Sequence, residues 1–313
     1  MNKNIVITYF EPFGGRDTNT SKEVASLFLE YTLVELPVNW EEVGDVLLNK
    51  IPKDTEYVFM LGEAGSYQDV SIELVARNIA NGVDNKKVEK ENVVIGGTNL
   101  VTPIIFNQKE LPATYSFNAG KYLCNFSYYF SLKNIKGTKV VFIHLPYPRI
   151  DLSIEDMKKK VEEIIDYATS NNYRLEIGDY EAINPSFKEI RETVFIKEQG
   201  FEYEFDDIDR ISIHFLLYYN DKPVATCRLF FDEKLVSYHI GRLAVMKNYR
   251  NLGLGSTLLL EVEKYLYEMN AKSVILGAQV TASEFYEKNG YEKYGEIYLD
   301  EGVEHIYMKK DLR

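Results

Sequence analysis

The first part of the chain alternates short apolar runs with amphipathic stretches. Residues 4–9 form an apolar run that ends in Phe10-Glu11-Pro12-Phe13-Gly14-Gly15, and 57–61 form another that ends at Gly62. Short apolar runs that stop at Pro or Gly are typical of buried strands. Further strands are predicted at 33–37, 114–117 and 139–144, and helices at 21–31, 40–50, 122–132 and 154–169. This alternation predicts an α/β/α sandwich with a mostly parallel sheet.

The pattern changes after the polar, turn-forming residues Ser170-Asn171-Asn172, where we place a domain boundary. Residues 173–177 predict a strand, and a helix is expected from near Pro185 to Glu198. The apolar runs 213–219 and 224–231 are joined through Asn220-Asp221-Lys222, which favours a hairpin, and 238–245 predict the next strand. The sequence therefore predicts domains at 1–172 and 173–313, the second a mixed α/β domain that begins as an antiparallel meander.

Composition supports this picture and limits the partners. A chain of 313 residues exceeds what one hydrophobic core usually organises. The net charge is -12, and neither part is basic, so we expect no nucleic-acid or membrane partner. The two cysteines, Cys124 and Cys227, lie in different parts, which favours a reducing compartment over a disulfide framework. No secretion-signal pattern or apolar run of about 18 residues is present. We expect a cytoplasmic protein without a bound metal.

A glycine-containing loop follows the strand that ends in Leu243-Ala244-Val245. It reads Arg250-Asn251-Leu252-Gly253-Leu254-Gly255-Ser256 and leads into helical periodicity over 257–269. Glycines allow close approach of a phosphate to the backbone, the first helical N–H groups attract it, and an arginine adds a forked donor. The loop lacks the Lys-Ser/Thr ending of a nucleotidase P-loop and the third glycine of the dinucleotide fingerprint, which leaves ligands such as coenzyme A. A packing role for the glycines is the alternative.

These residues resemble the GNAT acetyltransferases, in which a strand ending in apolar-x-Val leads to Arg-x-x-Gly-x-Gly/Ala and a helix. The resemblance covers about residues 173–313 and extends to 191–199, 282–291 and 302–308. It implies acetyl-CoA as cofactor and direct acyl transfer to the amine of a small molecule or peptide. It also implies that main-chain groups of Leu243, Ala244 and Val245 align the pantetheine arm, that residues 250–256 hold the pyrophosphate, and that Tyr286 protonates the departing thiolate.

The general base of this reaction is open among three residues. His239 precedes the loop, His305 lies near the last strand, and Glu198 ends the predicted helix. Histidine is favoured because it titrates near neutral pH. His214, Arg228 and Arg242 lie on strands, and ion pairing is the favoured interpretation over a substrate pocket.

A second candidate constellation lies upstream. Cys124 stands at the start of a predicted helix, His144 ends a strand, and Glu73 lies in Ser71-Ile72-Glu73-Leu74. A cysteine nucleophile, a histidine base and an acidic residue that orients it are the parts of a hydrolytic triad. A lone buried cysteine is, however, usually inert.

These segments resemble pyroglutamyl peptidase I, cysteine peptidases that remove an N-terminal pyroglutamate. The matching segments fall in family order across 1–170: 10–15, 73–78, 116–125 and 142–147. The resemblance implies that Cys124 is the nucleophile, His144 the base and Glu73 the orienting residue, and that Phe10 and Phe13 sandwich the lactam ring.

The chain also departs from that family's pattern. Gly62-Glu63-Ala64-Gly65-Ser66-Tyr67 stands where the family has Gly-Gln-Ala-Gly-Gly-Arg, Asn81 aligns with an arginine, and Tyr9 replaces a glycine. Either the substrate differs or the peptidase is weakened. One hypothesis is that pyroglutamate removal exposes an amine for acetylation. The alternative is a binding module, in which the first domain captures a ligand and the second senses acyl-CoA.

Overall fold

The computed structural model describes residues 4–170 and 172–312, which form two compact units. One unit contains 4–106, 111–170 and 267–269, and the other contains 107–110, 172–266 and 270–312. No helix within the described ranges is long and apolar enough to cross a membrane.

The first unit is built on a six-stranded sheet. The strands of the whole unit, six of which form this sheet, are β1 (Ile5–Phe10), β2 (Thr32–Leu36), β3 (Tyr57–Glu63), β4 (Ser71–Glu73), β5 (Val75–Ala76), β6 (Ala80–Val83), β7 (Glu89–Val93), β8 (Leu100–Val101), β9 (Thr114–Ser116) and β10 (Lys139–Leu145). Its helices are α1 (Thr20–Ala25), α2 (Val43–Lys50), α3 (Leu123–Asn134) and α4 (Ile154–Ser170). The sheet order is β2-β1-β3-β10-β4-β9, parallel except for the β10–β4 pair.

Helices cover both faces of this sheet. Val58 and Met60 of β3 belong to one core with buried residues of α2 and α3, whereas α1 packs on β1, β3 and α4. Phe59 and Leu61, which alternate with Val58 and Met60, are also fully buried. Strands buried on both faces read as continuous apolar runs, which is why β3 and β10 were recognisable. The predicted α/β/α sandwich with a mostly parallel sheet is confirmed.

Two segments of the first unit differ from the sequence prediction. The helix expected over 21–31 ends at Ala25, because Asn19 caps its start and Val24 and Ala25 pack, whereas Leu29 is 90% exposed and gains nothing from a longer helix. The polar stretch after residue 80, where no element was predicted, contains β7, which pairs with β6, and the short strand β8, which pairs with β5. Its polar composition concealed these strands.

The second unit contains a seven-stranded mixed sheet. Its strands are β11 (Tyr173–Gly178), β12 (Ile213–Tyr219), β13 (Lys222–Asp232), β14 (Ser237–Val245), β15 (Ser273–Gln279), β16 (Glu292–Asp300) and β17 (Val303–Asp311), and its helices are α5 (Ser186–Arg191), α6 (Ile208–Ile211), α7 (Leu254–Glu268) and α8 (Ser283–Lys288). The order is β11-β12-β13-β14-β15-β17-β16, antiparallel except for β14–β15. Asn220 and Asp221 both have positive φ, 49° and 59°, as a tight hairpin turn requires. The predicted mixed α/β fold is confirmed.

The helix predicted to run to Glu198 changes its geometry on the way. It is α-helical to Arg191 and then continues as a π-helix, Glu192–Glu198. Such widened turns are rare and occur frequently at functional sites.

Ion pairs attach the segment before α6 to the sheet. Arg191 is 1% exposed and bonds Glu204 through Nε at 2.6 Å and Asp209 through Nη1 at 2.5 Å. Arg228 forms a forked pair with Asp206 at 2.5 and 2.9 Å. The ion pairing favoured for Arg228 is therefore found.

Candidate functional site

Strand β14 separates from β15 halfway along its length. The β14–β15 pairs run from Tyr238–Val274 to Ile240–Leu276, and the described residues form none beyond them. On the other side, the register with β13 shifts between Gly241 and Ala244, where Arg242 has a φ of 53°. This is a β-bulge, which bends a strand and re-aims its side chains. The backbone of Leu243–Val245 is thereby left without a β15 partner.

A cavity of about 690 Å³ adjoins this unpaired backbone. Leu243, Ala244 and Val245 line it together with Tyr286. The phosphate-loop candidates that line it are Arg250, Asn251, Gly253, Leu254, Gly255 and Ser256, whereas Leu252 is absent from its lining. The structure therefore brings the main-chain candidates, most of the loop and Tyr286 to one cavity.

The loop ends at the first turn of α7, which begins at Leu254. Gly253 has a φ of 82°, a conformation that other residues rarely adopt. A Cβ at Gly255 would lie 3.0 Å from Cζ of Phe285, so this position also suits glycine. The first N–H groups of a helix are unpaired donors at its positive end, and the cavity therefore has the donors that a pyrophosphate needs.

Arg250 is itself held by two contacts. Its Nε donates to the carbonyl oxygen of Val245 at 3.0 Å, and its other nitrogens bind both oxygens of Glu198 at 2.5 and 2.7 Å. The hydrogen bond from Arg250 lowers the pKa of Glu198. A carboxylate so engaged is a poor proton acceptor, which weighs against Glu198 as the general base.

Two residues that line this cavity were not predicted from the sequence. Asn107 and Lys109, which belong to the second unit, donate to the carbonyl oxygens of Leu252 and Asn251 at 2.8 and 2.5 Å. Lys109 adds a cation to the lining. Nothing in the sequence links a lysine so far upstream to the loop.

Tyr286 lies at the cavity wall in α8 and is partly exposed. Burial of its ring, with a smaller influence from Cys227, raises the pKa of the hydroxyl. Tyr286 is therefore protonated at neutral pH and can donate a proton to a leaving thiolate.

The two histidine candidates lie in different surroundings. His239 stacks on Phe230 at 4.9 Å, and burial, partly offset by Asp232, lowers its pKa to about 4. It is absent from the lining of the large cavity. His305 lines a second, smaller cavity of about 50 Å³. Its Nδ1 lies 3.0 Å from the carbonyl oxygen of Val303, and a donating Nδ1–H leaves the lone pair on Nε2 as a proton acceptor.

The first unit assembles the cysteine constellation. His144 ends β10, which pairs with β4, so that Nδ1 of His144 lies 2.7 Å from Oε1 of Glu73. Cys124 stands in the first turn of α3, and its interaction with His144 raises the pKa of that histidine. Glu73 is fully buried and His144 is 4% exposed. The structure thus brings together a buried His–Glu pair and a partly exposed cysteine, the arrangement of a Cys–His–Glu triad.

The triad holds a proton on its histidine. Burial alone would lower the pKa of His144, but hydrogen bonds to Cys124 and Glu73, and their charges, raise it to about 9. An imidazolium beside a thiol supports a thiolate nucleophile and is a proton donor for a leaving amine.

Tyr67 joins the triad, which sequence reasoning missed. Its hydroxyl donates to Oε1 of Glu73 at 2.7 Å, lies 3.2 Å from Oγ of Ser116, and its ring centroid is 5.3 Å from that of His144. Its only indication in the sequence was its place in segment 62–67, where the chain departs from the peptidase family pattern.

The other departures from the peptidase pattern have structural partners. Glu63 is 7% exposed and binds Arg16 through Oε1 at 2.5 Å and the Thr20 backbone N–H and hydroxyl through Oε2, both at 2.7 Å. Asn81 accepts the backbone N–H of Asn92 at 3.1 Å. Glu63 is therefore committed to anchoring the start of α1.

The two phenylalanines proposed to hold a lactam ring belong to the same hydrophobic cluster as Cys124. Phe10 is 2% exposed within this core, and Phe13 is partly buried, with its ring centroid 6.2 Å from that of Tyr122. Their role in ligand binding stays a prediction.

Known proteins resemble each part of the chain. The pyroglutamyl peptidase family model matches residues 3–165, and the acetyltransferase (GNAT) domain model matches 181–312. The uncharacterized N-acetyltransferase YjcF of Bacillus subtilis is 35% identical over 125 residues, which cover 39% of this chain and 88% of the relative. The pyrrolidone-carboxylate peptidase of Fusobacterium nucleatum is 31% identical over 169 residues, which cover 46% of this chain and 78% of the relative.

A solved structure shows the same fold as the first part. Pyroglutamyl peptidase I of Bacillus amyloliquefaciens superposes with a TM-score of 0.50 at 21% identity, over 54% of this chain and 98% of that one. Together with the triad and the cavity at the glycine loop, these matches confirm both resemblances. The chain belongs to the pyroglutamyl peptidase family in its first part and to the GNAT acetyltransferases in its second.

Proposed function

We propose that the second unit transfers the acetyl group of acetyl-CoA to an amine. The observation that carries this proposal is the cavity of about 690 Å³ that joins the unpaired backbone of Leu243–Val245 to the loop before α7. A pantetheine arm offers amides to an unpaired strand edge, and a pyrophosphate fits the helix N-terminus. We further propose that 1–172 and 173–313 act as two domains of a cytoplasmic enzyme.

The proposed reaction is a direct attack. The amine nitrogen bonds to the acetyl carbonyl carbon, the carbon–sulfur bond breaks, and the amine loses a proton to Nε2 of His305. Tyr286 supplies a proton to the sulfur. The main contribution of the protein is to position both reactants. Holding two reactants in the reactive orientation lowers the activation free energy by several kcal/mol.

Acetyl-CoA binding tests this proposal through a matched pair of variants. Gly253→Trp fills the loop, whereas Gly295→Trp places the same side chain at a φ of 75° with open space around it. Isothermal titration should detect acetyl-CoA binding to the wild type and to Gly295→Trp but not to Gly253→Trp. Mass spectrometry of an amine and peptide panel then identifies the acetylated product. A wild type that does not bind acetyl-CoA contradicts the proposal.

For the first unit, the assembled triad supports a cysteine peptidase that acts on an N-terminal pyroglutamyl group. Cys124 would attack the carbonyl carbon, His144 would protonate the departing amine, and Glu73 would hold the imidazole. Glu63 is anchored to Arg16 and Thr20, so the substrate is held without an amide at that position.

Hydrolysis of a pyroglutamyl fluorogenic amide tests this second activity. We expect turnover by the wild type and none by Cys124→Ser, with Cys227→Ser as the matched control because Cys227 is buried in the other unit. A Cys124 thiol that alkylates no faster than free cysteine, together with no turnover, would favour the binding-module alternative.

A further inference from the structure

The second, smaller cavity of the acetyltransferase unit has a composition suited to a cation. His305, Phe195, Phe201 and Tyr203 line it, and the carboxylates of Asp300 and Glu301 add negative charge. Aromatic faces and carboxylates are the two kinds of group that attract ammonium ions. The lining therefore indicates that the acyl acceptor is a cation.

This cavity adjoins the one assigned to acetyl-CoA. Val194 lines the large cavity and its neighbour Phe195 the small one, and the same holds for Leu243 and Arg242 at the bulge of β14. The side chain of Gln199, at the large cavity, is bonded at 2.9 Å to that of Gln279 at the small one. The two cavities are therefore lined by neighbouring residues of the same π-helix and the same strand.

Some charged side chains of the lining are already in ion pairs, and others are free to bind a ligand. Arg242 pairs with Glu204 at 3.1 Å, and Glu204 also binds Arg191, so these groups offset one another. Asp300 and Glu301 are exposed, and within the described ranges neither has an ion-pair partner. The uncompensated charge of the cavity is therefore negative and lies on its exposed side.

The turn between β16 and β17 fixes the backbone at these two residues. Asp300 pairs with Val303, and the two residues between them, Glu301 and Gly302, have φ values of 47° and 81°. Positive φ at both central residues defines the tight turn preferred by hairpins. The turn places Asp300 and Glu301 at the cavity only a few residues from His305.

The volume of about 50 Å³ restricts what can enter. One water needs about 10–15 Å³ on this scale, so a cavity of this size suits a narrow arm of a few heavy atoms. The aromatic side chains suit methylene groups, and Nε2 of His305, whose Nδ1 bonds Val303, suits an amine that loses a proton.

We propose that the acyl acceptor is an aliphatic diamine, or an amine with an equivalent second cation, whose narrow arm enters the cavity at His305 while Asp300 and Glu301 hold the second ammonium. This assignment rests on the proposed acetyltransferase function. In the reaction the primary amine forms the new nitrogen–carbon bond and loses its proton to His305. The second ammonium is unchanged and sets the preference for the substrate.

A comparison of 1,4-diaminobutane with butylamine measures that preference, since the two amines differ in the second ammonium. We expect a ratio of kcat/KM of about 10 to 30 in favour of the diamine, as for two contacts between exposed charges. Asp300→Asn/Glu301→Gln should reduce the ratio to about one. Glu292→Gln/Glu296→Gln removes the same charge from exposed positions of β16 and should preserve the ratio.

The outcomes distinguish failure of the diamine assignment from failure of the proposed acetyltransferase function. A wild type that acetylates butylamine and the diamine equally, or a ratio unaffected by Asp300→Asn/Glu301→Gln, overturns the diamine assignment while the acetyltransferase function stands. A ratio that falls when the salt concentration is raised from about 0.05 to 0.5 M supports the diamine assignment, because interactions between exposed charges are screened by salt. Failure to bind acetyl-CoA in isothermal titration overturns the proposed function itself.

Discussion

The protonation of His144 provides a direct test of the triad. The pKa of His144 is raised to about 9 from the ordinary value of 6.5, although burial acts in the opposite direction. The hydrogen bonds and charges of Cys124 and Glu73 cause the rise. We expect the imidazole to stay protonated through neutral pH in the native protein and to lose its proton near pH 9.

The size of this effect follows from the difference between the two pKa values. Each pKa unit corresponds to about 1.4 kcal/mol, so the triad favours the protonated imidazole by about 3 kcal/mol relative to water. A raised folded-state pKa stabilises the native state below pH 6.5, and this stabilisation is lost as the pH rises through about 9. Removal of either acidic partner should bring the titration midpoint down, because burial then dominates.

The assay is a titration of the four histidines by NMR, with His144→Gln identifying the His144 signal. The wild-type midpoint should lie near 9, and Glu73→Gln and Cys124→Ser should each lower it by at least one pH unit. Asp69→Asn is a control, because Asp69 pairs with Lys160 on the surface of the same unit. A wild-type midpoint near 6.5, or one that Glu73→Gln leaves unchanged, would refute this account of the triad.

Three further predictions concern single side chains. Tyr286→Phe should lower kcat for acetyl transfer by roughly 10²-fold or more while the acetyl-CoA Kd in isothermal titration stays the same, because in the proposed reaction the hydroxyl acts only as a proton donor. Tyr67→Phe removes a hydrogen bond to the buried carboxylate of Glu73 and should lower the free energy of unfolding by about 1.5–3 kcal/mol in urea denaturation. Arg191→Met removes one of the two arginines that bind each of Glu204 and Asp209, and should lower that free energy by about 1.5–3 kcal/mol, whereas Arg174→Met, in an exposed pair, should change it by less than about 1 kcal/mol.

The sequence was most informative where one local pattern combines backbone and side-chain requirements. The loop with Gly253 and Gly255 was recognisable because a strand, two glycines and a helix follow within a few residues. The triad residues were recognisable for a similar reason, since each lies in a short motif at the end of a strand or the start of a helix. Such patterns depend on local geometry, which the sequence expresses directly.

Contacts between distant segments were beyond this reasoning. The forked pair of Arg250 with Glu198 joins residues 52 positions apart, and it changed the assignment of Glu198 from a candidate base to a partner of the loop. The separation of β14 from β15 depends on a bulge at Arg242, where no glycine or proline indicated a positive φ. These features follow from the packing of the whole unit, which no single window of sequence contains.

The departures around the triad bear on whether the first unit is a catalyst or a binding module. Glu63 is removed from ligand contact by Arg16 and Thr20, whereas Tyr67 adds a hydrogen bond to Glu73. Burying Glu73 and His144 carries a desolvation cost of several kcal/mol that an apolar pair of the same size would avoid. A binding module gains nothing from this arrangement, since a ligand can be held by exposed groups. An enzyme gains an imidazolium positioned against a thiol, and perturbed pKa values of this kind cluster at active sites. The catalytic interpretation therefore accounts for the burial and the protonation of the triad, which the binding module leaves without a cause.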